Sequence, residues 1–221
     1  MLFPNLTQLD LTGPYEVFSR MPNTTVHLVA ATSALVRSER GLTIAPDTTF
    51  DRVAPLDILC VPGGVGVNAM MEDEPLLRFL QVQAGRARYV TSVCTGALLL
   101  GAAGLLRGYR ATTHWLSLDL LPLFGARAVD QRVVIDRNRI TGGGVTAGID
   151  FGLVVASEVF GRTAAEEIQL MVEYNPAPPF YAGSPGTAPA GLVQGVVRAR
   201  AAVQSERRTI AERAAARLTR S

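Results

Sequence analysis

The junction between residues 89–93 and residues 96–106 constrains the fold most, because the hydrophobic pattern changes there from strand-like to helical. Residues 89–93 are a short run of β-branched and aromatic side chains, typical of a buried parallel strand. Residues 96–106 are rich in alanine and leucine, which indicates a helix. Cys94 stands between them. The sequence therefore predicts a sharp strand-to-helix turn at the carboxyl edge of a sheet, with Cys94 on it.

The position of Cys94 favours a nucleophilic thiol. A side chain on such a turn lies beside the unpaired N–H groups of the first helical turn, and their field favours a thiolate. The same arrangement with serine is the nucleophile elbow of hydrolases. Gly96 and Ala97 lack bulk, so a small ligand can approach the sulfur. The alternative is a cysteine that only fills space in the core.

The composition is that of a globular chain. Its 221 residues are 48% hydrophobic, enough for a substantial core. The formal net charge is only +2, which gives no electrostatic reason to expect nucleic acid as a partner. Without a signal-peptide pattern or an apolar run of membrane-spanning length, we expect a cytoplasmic protein and no membrane partner. In that reducing compartment Cys60 and Cys94 are expected to be free thiols.

The order of strand and helix patterns predicts an α/β fold, with a doubly wound, mainly parallel sheet and helices on both faces. Strand patterns occupy residues 26–32, 57–61 and 89–93. Residues 42–45 are a short extended piece, residues 110–115 are a strand that runs into a loop, and residues 133–135 and 139–141 form a predicted hairpin. Helical patterns occupy residues 74–84, 96–106, 116–124, 147–160, 164–173 and 192–218.

The domain organisation follows from a change in composition near residue 174. Residues 174–190 are rich in proline, glycine and serine and predict a surface loop. We therefore expect an α/β domain over residues 1–180. Residues 181–221 are expected to be a C-terminal loop and helix, packed on the domain or on a dimer partner with a solvated, arginine-rich face.

The region before the second strand carries two candidate acids. Thr12 predicts a helix cap and Pro14 a first helical turn, which places Asp10 in the preceding loop. The first loop of a doubly wound sheet lies near the point where ligands bind, so Asp10 and Glu16 are the acids expected to approach Cys94. The alternatives are a helix-cap interaction for Asp10 and a solvated or packed helix position for Glu16.

A paired glycine turn and one histidine are further candidates for the site. Gly63 and Gly64 follow the strand pattern of residues 57–61, and their amides, with that of Thr95, predict an anion-binding nook. The alternative is an ordinary turn. His114 lies in a loop and is either a site residue or an ordinary hydrogen-bonded histidine.

Two cofactor classes are not expected. The two cysteines and two histidines show neither HExxH nor CxxC spacing, so we expect no metal. The glycine run at residues 142–144 lacks both phosphate-binding spacings, so we expect no nucleotide.

Taken together, four short segments in this order resemble the ThiJ/PfpI superfamily, whose members are related to class I glutamine amidotransferases. The resemblance extends from about residue 2 to residue 180 and implies a flavodoxin-like fold. The segments are residues 8–18, 61–64, 93–97 and 111–115.

Within that superfamily, residues 9–14, 94–96 and 173–180 most resemble the members that add water to an isocyanide and form an N-substituted formamide without a cofactor. The resemblance implies that Cys94 attacks the isocyanide carbon to give a thioimidate. It implies that Asp10 protonates that carbon and helps to activate water, and that Thr95 supports the site.

The resemblance also implies the surroundings of the cysteine and the assembly. Gly143 and the helix after it are expected to shape the substrate pocket, together with Gly63 and Gly64. His114 stands where some superfamily members place a pocket histidine, so we expect it to line the pocket without a catalytic role. Superfamily members dimerise, which implies a homodimer.

Two other functions remain open on the same scaffold. ThiJ/PfpI-like domains also serve as ligand sensors in AraC-type transcription regulators, which need roughly a hundred further residues for their DNA-binding unit. About forty residues follow Phe180 here. The other alternative is a different thiol enzyme of protease, glyoxalase or redox type. The sequence Asp-Leu-Thr-Gly-Pro at residues 10–14 favours, by resemblance, the isocyanide reaction.

Overall fold

In the computed structural model, which describes residues 1–219, strands and helices alternate along the chain. The strands are β1 Val29–Ala30, β2 Val36–Arg37, β3 Thr43–Ile44, β4 Thr48–Thr49, β5 Ile58–Val61, β6 Tyr89–Val93, β7 Arg110–Ala111, β8 Arg127–Ala128, β9 Val133–Asp136 and β10 Arg139–Gly142. The helices are α1 Gln8–Phe18, α2 Val67–Met70, α3 Glu74–Ala84, α4 Gly96–Ala102, α5 Ala147–Phe160, α6 Arg162–Met171 and α7 Ala190–Leu218, with a 3-10 helix at Trp115–Phe124.

The central sheet has the strand order β5-β6-β10-β9. β5, β6 and β10 are parallel, and β9 joins β10 as the predicted antiparallel hairpin. In the ladders Val93 is level with Gly142, and Thr91 is level with Cys60. Since β6 and β10 end side by side, the residue after Val93 leaves the sheet directly beside the glycine run that follows β10.

Helices cover both faces of this sheet, which confirms the predicted doubly wound α/β architecture. One buried cluster joins α3, α4 and α7 to the sheet through side chains such as Leu80, Leu99 and Ile210. The other joins α1, α5 and α6 through side chains such as Val17 and Phe151. The hydrophobic core is thus divided into two layers, and Cys94 belongs to the second.

The predicted strand at residues 26–32 is much shorter than its sequence pattern indicates, and the strand predicted to run into a loop at residues 110–115 is also short. The pattern at residues 26–32 pairs only at β1, which lies parallel to β4. At the start of that region the amide of Leu28 donates to the carboxylate of Asp47. The pattern at residues 110–115 pairs only at β7, and the amide of Thr112 donates to the Thr141 hydroxyl. In both places a side chain takes up a backbone amide that a longer ladder would have used.

The first helix corrects the predicted position of Asp10. α1 begins at Gln8, so Asp10 lies in its first turn and not in a preceding loop; Thr12 is not the cap, and Pro14 lies in mid-helix. Pro14 has no N–H to donate to the Asp10 carbonyl. Its ring instead packs against α5, where an added Cβ on Gly148 would lie 3.0 Å from the Pro14 Cδ atom. Buried packing against another helix therefore tolerates a proline that local rules place at a helix start.

The other helices follow the prediction with shifted ends. α5 has the predicted bounds, and Gly161, with φ of 87°, separates it from α6. α4 stops at Ala102, four residues before the predicted end, because the chain turns at Gly104 with φ of 77°. α6 begins two residues earlier than predicted, at Arg162.

The C-terminal helix α7 packs on the 3-10 helix, α4 and α2. Its buried side chains include Ile210, Ala211 and Ala214. The predicted C-terminal segment ends with residues 220–221, which lie outside the described residues. None of the helices in residues 1–219 is both long enough and apolar enough to span a bilayer.

Candidate active site

Cys94 occupies the predicted elbow with a strained backbone. Its φ is 55°, a left-handed conformation that is uncommon outside glycine. Its amide donates to the carbonyls of Gly142 at 3.0 Å and Gly143 at 2.9 Å, and its carbonyl accepts from the Thr113 hydroxyl at 2.7 Å. Contacts from β10 and from the loop after β7 thus keep the Cys94 backbone in this strained conformation. Such strain at a buried residue is typical of a functional site.

The thiol of Cys94 is protonated near neutral pH, contrary to the prediction that helix amides favour a thiolate. Burial raises the pKa of this thiol well above its ordinary value, and the charge of Asp10 raises it further. The backbone amides of Val145 and Thr95 lower the pKa but do not outweigh the burial. A nucleophilic reaction at Cys94 therefore needs a nearby group that accepts the thiol proton.

Asp10 is such a group. Its side chain is fully buried, and Oδ2 accepts the Gly63 amide at 3.0 Å. Burial raises the pKa of Asp10 to about 7, although the Cys94 thiol and the Gly63 amide lower it and Glu39 adds a smaller raising effect. Within residues 1–219, Oδ1 is buried without a hydrogen-bond partner. Asp10 can therefore accept and return a proton near neutral pH, and it has a free oxygen for this purpose.

The glycine turn after β5 connects the acid to the elbow. The Gly63 amide binds Asp10, and the Gly64 amide donates to the Thr95 hydroxyl at 3.0 Å. The Gly63 and Gly64 amides, two of the three predicted for an anion-binding nook, thus have acceptors inside the site, and they hold Asp10 and Thr95 in place. A direct contact of Gly63 or Gly64 with substrate stays a prediction.

Only glycine fits at these two positions. A Cβ on Gly63 would lie 2.5 Å from the Thr95 amide nitrogen and 2.8 Å from the Asp10 Oδ2 atom. Gly64 has φ of 134°, and a Cβ there would lie 2.5 Å from the Thr7 nitrogen. The turn, α1 and the elbow are therefore in direct backbone contact.

His114 and Gly143 lie on the opposite side of the elbow from the glycine turn. Gly143 accepts the Cys94 amide, and His114 follows Thr113, which donates to the Cys94 carbonyl. His114 Nδ1 accepts the Leu116 amide at 3.3 Å. Burial, and then the charge of two arginines, lowers the pKa of His114 to about 4. The imidazole is therefore neutral, with its proton on Nε2, in agreement with a pocket residue that does not titrate near pH 7.

Glu16 does not approach the site. It is exposed on α1 and forms an ion pair with Arg20 at 2.7 Å. Of the two predicted acids the fold brings only Asp10 to Cys94. Residues 1–219 contain no group of three or more histidine, cysteine or acidic side chains that could hold a metal ion.

Sequence reasoning missed one group near the site, Arg207 of α7. Its guanidinium is buried. Burial lowers the pKa of this group, and the charge of Cys94 raises it. A signal was present, because Arg207 falls in the stripe of Val203, Ile210 and Ala214, at the spacing of the buried helix face. A charged residue in such a stripe indicates a specific buried role.

Comparison with known proteins gives consistent matches. The profile of the DJ-1/PfpI family matches residues 1–158. The isonitrile hydratase of Pseudomonas putida is 56% identical over 219 residues, which are 99% of this chain and 96% of that protein. The HTH-type transcriptional regulator GbdR of Pseudomonas aeruginosa is 34% identical over 79% of this chain, and the match spans 49% of the regulator. A crystal structure of a ThiJ/PfpI family protein from Pseudomonas syringae superposes with a TM-score of 0.93 at 44% identity, covering 95% of this chain and 88% of that one.

Proposed function

This chain belongs to the DJ-1/PfpI family, and we propose that it is an isonitrile hydratase, which adds water to an isocyanide without a cofactor. Identity of 56% with the Pseudomonas putida enzyme over nearly the whole chain supports this reaction. The structural observation that carries the proposal is the pairing of a protonated Cys94 thiol with a buried Asp10, whose pKa is raised to about 7.

In the first step the sulfur of Cys94 attacks the terminal carbon of the isocyanide. The thiol proton passes to Asp10, and Asp10 delivers it to the same carbon. A C–S bond and a C–H bond form, and the product is a neutral thioimidate. The proton that leaves sulfur reappears on carbon, so the enzyme carries no net change in charge.

In the second step water adds to the thioimidate carbon. Asp10, ionised again after the first step, accepts one proton from this water and delivers it to the imine nitrogen, while the water oxygen bonds to carbon. The tetrahedral adduct then expels the Cys94 sulfur, which takes up the proton that leaves the adduct hydroxyl as the C=O bond forms, and an N-substituted formamide is released. A carboxyl group with a pKa near 7 suits both directions of transfer at neutral pH.

The remaining site residues have supporting roles in this proposal. Thr95 anchors the Gly64 amide, and the Gly63 amide holds Asp10 Oδ2 so that Oδ1 stays available. Gly143 and neutral His114 lie beside the elbow, where we expect them to line the pocket for a weakly polar substrate. Because an isocyanide has no net charge, a pocket of neutral groups suits it better than a charged one.

The direct test is hydration of cyclohexyl isocyanide or p-nitrophenyl isocyanide by the purified protein, followed through formamide absorbance. We expect turnover in the wild type and none above background in Cys94→Ala, with unchanged circular dichroism. Turnover in Cys94→Ala would contradict the mechanism. A wild type without turnover on either compound would contradict the function.

The sensor alternative is favoured by one observation, the 34% identity with a transcription regulator over 79% of this chain. A sensor would bind the isocyanide without converting it. Calorimetric binding that leaves the compound unchanged would support this alternative, whereas release of formamide would exclude a purely sensory role.

Two further expectations belong to the same proposal. We expect a homodimer, since exposed apolar side chains at the end of α6 and in the loop after it, such as Met171 and Tyr181, offer an unpaired surface. Light scattering coupled to size exclusion measures this. We expect a cytoplasmic location, which cell fractionation measures.

A further inference from the structure

The C-terminal helix α7 places a buried guanidinium beside the glycine turn. Arg207 is only 4% exposed. Its Nε donates to Asn68 Oδ1 at 2.8 Å, one terminal nitrogen donates to Ser117 Oγ at 3.1 Å, and the other donates to the Gly64 carbonyl at 3.4 Å. One side chain thus joins α7 to α2, to the 3-10 helix and to the turn that holds Asp10.

The partners of Arg207 are themselves held in place. Asn68 donates to Glu206 at 2.9 Å, and the Ser117 hydroxyl donates to Gln204 at 3.2 Å. Both side-chain acceptors of the guanidinium are therefore oriented by neighbouring residues of α7. Such a network keeps the planar side chain in one orientation.

This charge has no ion-pair partner. None of the ion pairs within residues 1–219 includes Arg207. A buried cation without a paired anion is costly, because neutral hydrogen-bond acceptors replace only part of its hydration. Packing alone would be served better by an apolar side chain at this point of the stripe. The cost therefore indicates a role for the charge itself.

The negative charge that forms during the proposed reaction is that of the Cys94 thiolate. Arg207 reaches the Gly64 carbonyl, the Gly64 amide reaches Thr95, and Thr95 is next to Cys94 in the chain. Burial lowers the pKa of Arg207, and the negative charge of Cys94 opposes this by favouring the protonated guanidinium.

We propose that Arg207 is a positioning residue of the active site, which holds the Gly63–Gly64 turn against Asp10 and Thr95 and stabilises the Cys94 thiolate as it forms. This role rests on the proposed reaction for its effect on turnover, but its effect on the thiol is independent of any substrate. It also makes α7 a part of the active site and not only a packing helix.

The other charges around the pair must be included in any pH experiment. Arg207 is influenced by Arg200, Glu39 and Glu206 as well as by Cys94. The charge that acts on Cys94 from α1 is that of Asp10. The imidazole of His114, which also faces Arg207, is neutral above about pH 5, because burial lowers its pKa to about 4.

The test measures the alkylation rate of Cys94 by iodoacetamide at fixed pH values from about pH 7 to about pH 10. Because the thiolate is the reacting form and the pKa of Cys94 is raised, the rate at each pH is proportional to the thiolate fraction. All variants carry Cys60→Ala, so that one thiol reacts. Arg207→Gln removes the charge, and Arg207→Lys keeps it without the planar fork. Arg213→Gln is the matched control, since Arg213 lies on the same helix and pairs with Glu72 at the surface. Formamide production is measured in parallel for kcat and KM.

For Arg207→Gln we expect the alkylation rate at each pH to fall about tenfold, which corresponds to a rise of about one unit in the thiol pKa. We expect kcat to fall at least tenfold, on the order of the loss for one preorganised electrostatic contact, while KM stays near the wild-type value. Arg207→Lys should keep the wild-type alkylation rate and lose less turnover. Arg213→Gln should match the wild type in both measurements.

An unchanged alkylation rate in a folded Arg207→Gln variant would overturn the proposal, whatever happens to turnover. If that variant does not fold, Arg207→Lys is the deciding variant, and a tenfold loss of alkylation rate in it would overturn the proposal, because its charge is kept. Failure of the proposed function has a different signature, because a wild type without isocyanide turnover still gives an alkylation rate for Cys94.

Discussion

Cys60 and Cys94 lie in neighbouring strands of one sheet, yet the fold equips them differently. Both are free thiols, and burial raises the pKa of each. Cys60 is inside β5, level with Thr91 in the ladder, and lines a cavity of about 550 Å³. Cys94 stands one residue beyond β6, with φ of 55°.

The difference shows that burial does not by itself make a thiol inert or reactive. What distinguishes Cys94 is the set of groups that manage its proton and charge. Asp10 offers a free oxygen and a pKa near 7, two backbone amides face the sulfur, and Arg207 supplies a positive charge. Cys60 has a regular strand backbone; burial raises its pKa, the N-terminal ammonium and the Thr91 hydroxyl lower it, and the charge of Asp10 raises it further. A thiol at the elbow can therefore take part in chemistry that a thiol inside the strand cannot.

The strongest test of this contrast exchanges the two thiols for alanine separately. Cys94→Ala should reduce isocyanide hydration by about 10⁴-fold or more, because the covalent step is lost. Cys60→Ala should leave turnover unchanged. Formamide assays on both variants, with thermal unfolding as a control for folding, measure the contrast. Equal losses of turnover in the two variants would contradict the contrast between the two cysteines.

Replacing the acid should come next in size. Asp10→Asn should reduce kcat by about 10² to 10⁴, the usual contribution of a positioned acid or base. The charge of Asp10 raises the pKa of Cys94, so its removal should shift alkylation of the thiol to lower pH. A variant with low turnover and a more reactive thiol separates proton transfer from nucleophile formation. Loss of thiol reactivity would instead indicate a collapsed site.

The pH dependence of stability gives a third test. The folded-state pKa of Asp10 is about 7, above its unfolded value of 3.8, so folding binds a proton between these values. The stabilisation is fully present below pH 3.8 and is lost as the pH rises through about 7. Between about pH 5 and about pH 8 the loss of stability from this group amounts to about 3 kcal/mol.

Asp10→Asn has no such proton to lose. The free energy of unfolding of this variant, relative to that of the wild type, should therefore increase by about 3 kcal/mol as the pH rises from about 5 to about 8. Urea denaturation at the two pH values measures the difference. Parallel curves for the two proteins would show that Asp10 is ionised at both.

The smallest expected effect compares the two threonines nearest to the cysteines. Thr95→Val leaves the buried Gly64 amide without its acceptor, which should cost about 1 to 3 kcal/mol of stability. It should also lower turnover, since the Gly64 turn is released. Thr91→Val removes a hydroxyl that donates to the Leu59 carbonyl, away from the elbow, and should leave turnover intact. Chemical denaturation and the formamide assay distinguish the two, and equal turnover would weaken the role given to Thr95.

Local patterns predicted much of the fold. The change of hydrophobic period around Cys94, the hairpin of β9 and β10 and the bounds of α5 are all properties of short segments, and the structure confirms them. Asp10 was placed in a loop because Pro14 normally begins a helix, whereas packing of Pro14 on Gly148 tolerates it in mid-helix. That error concerned a contact between segments far apart in the chain.

The sequence by itself therefore determined where a nucleophile could stand, since an elbow is specified by the residues on either side of it. Only the tertiary structure decided how that nucleophile behaves. The raised pKa of Cys94, the Asp10 oxygen that lacks a partner within residues 1–219 and the hydrogen bonds of the Arg207 guanidinium depend on burial and on distances between α1, β6 and α7. These quantities arise from desolvation and electrostatics in three dimensions, and no local pattern in the chain encodes them.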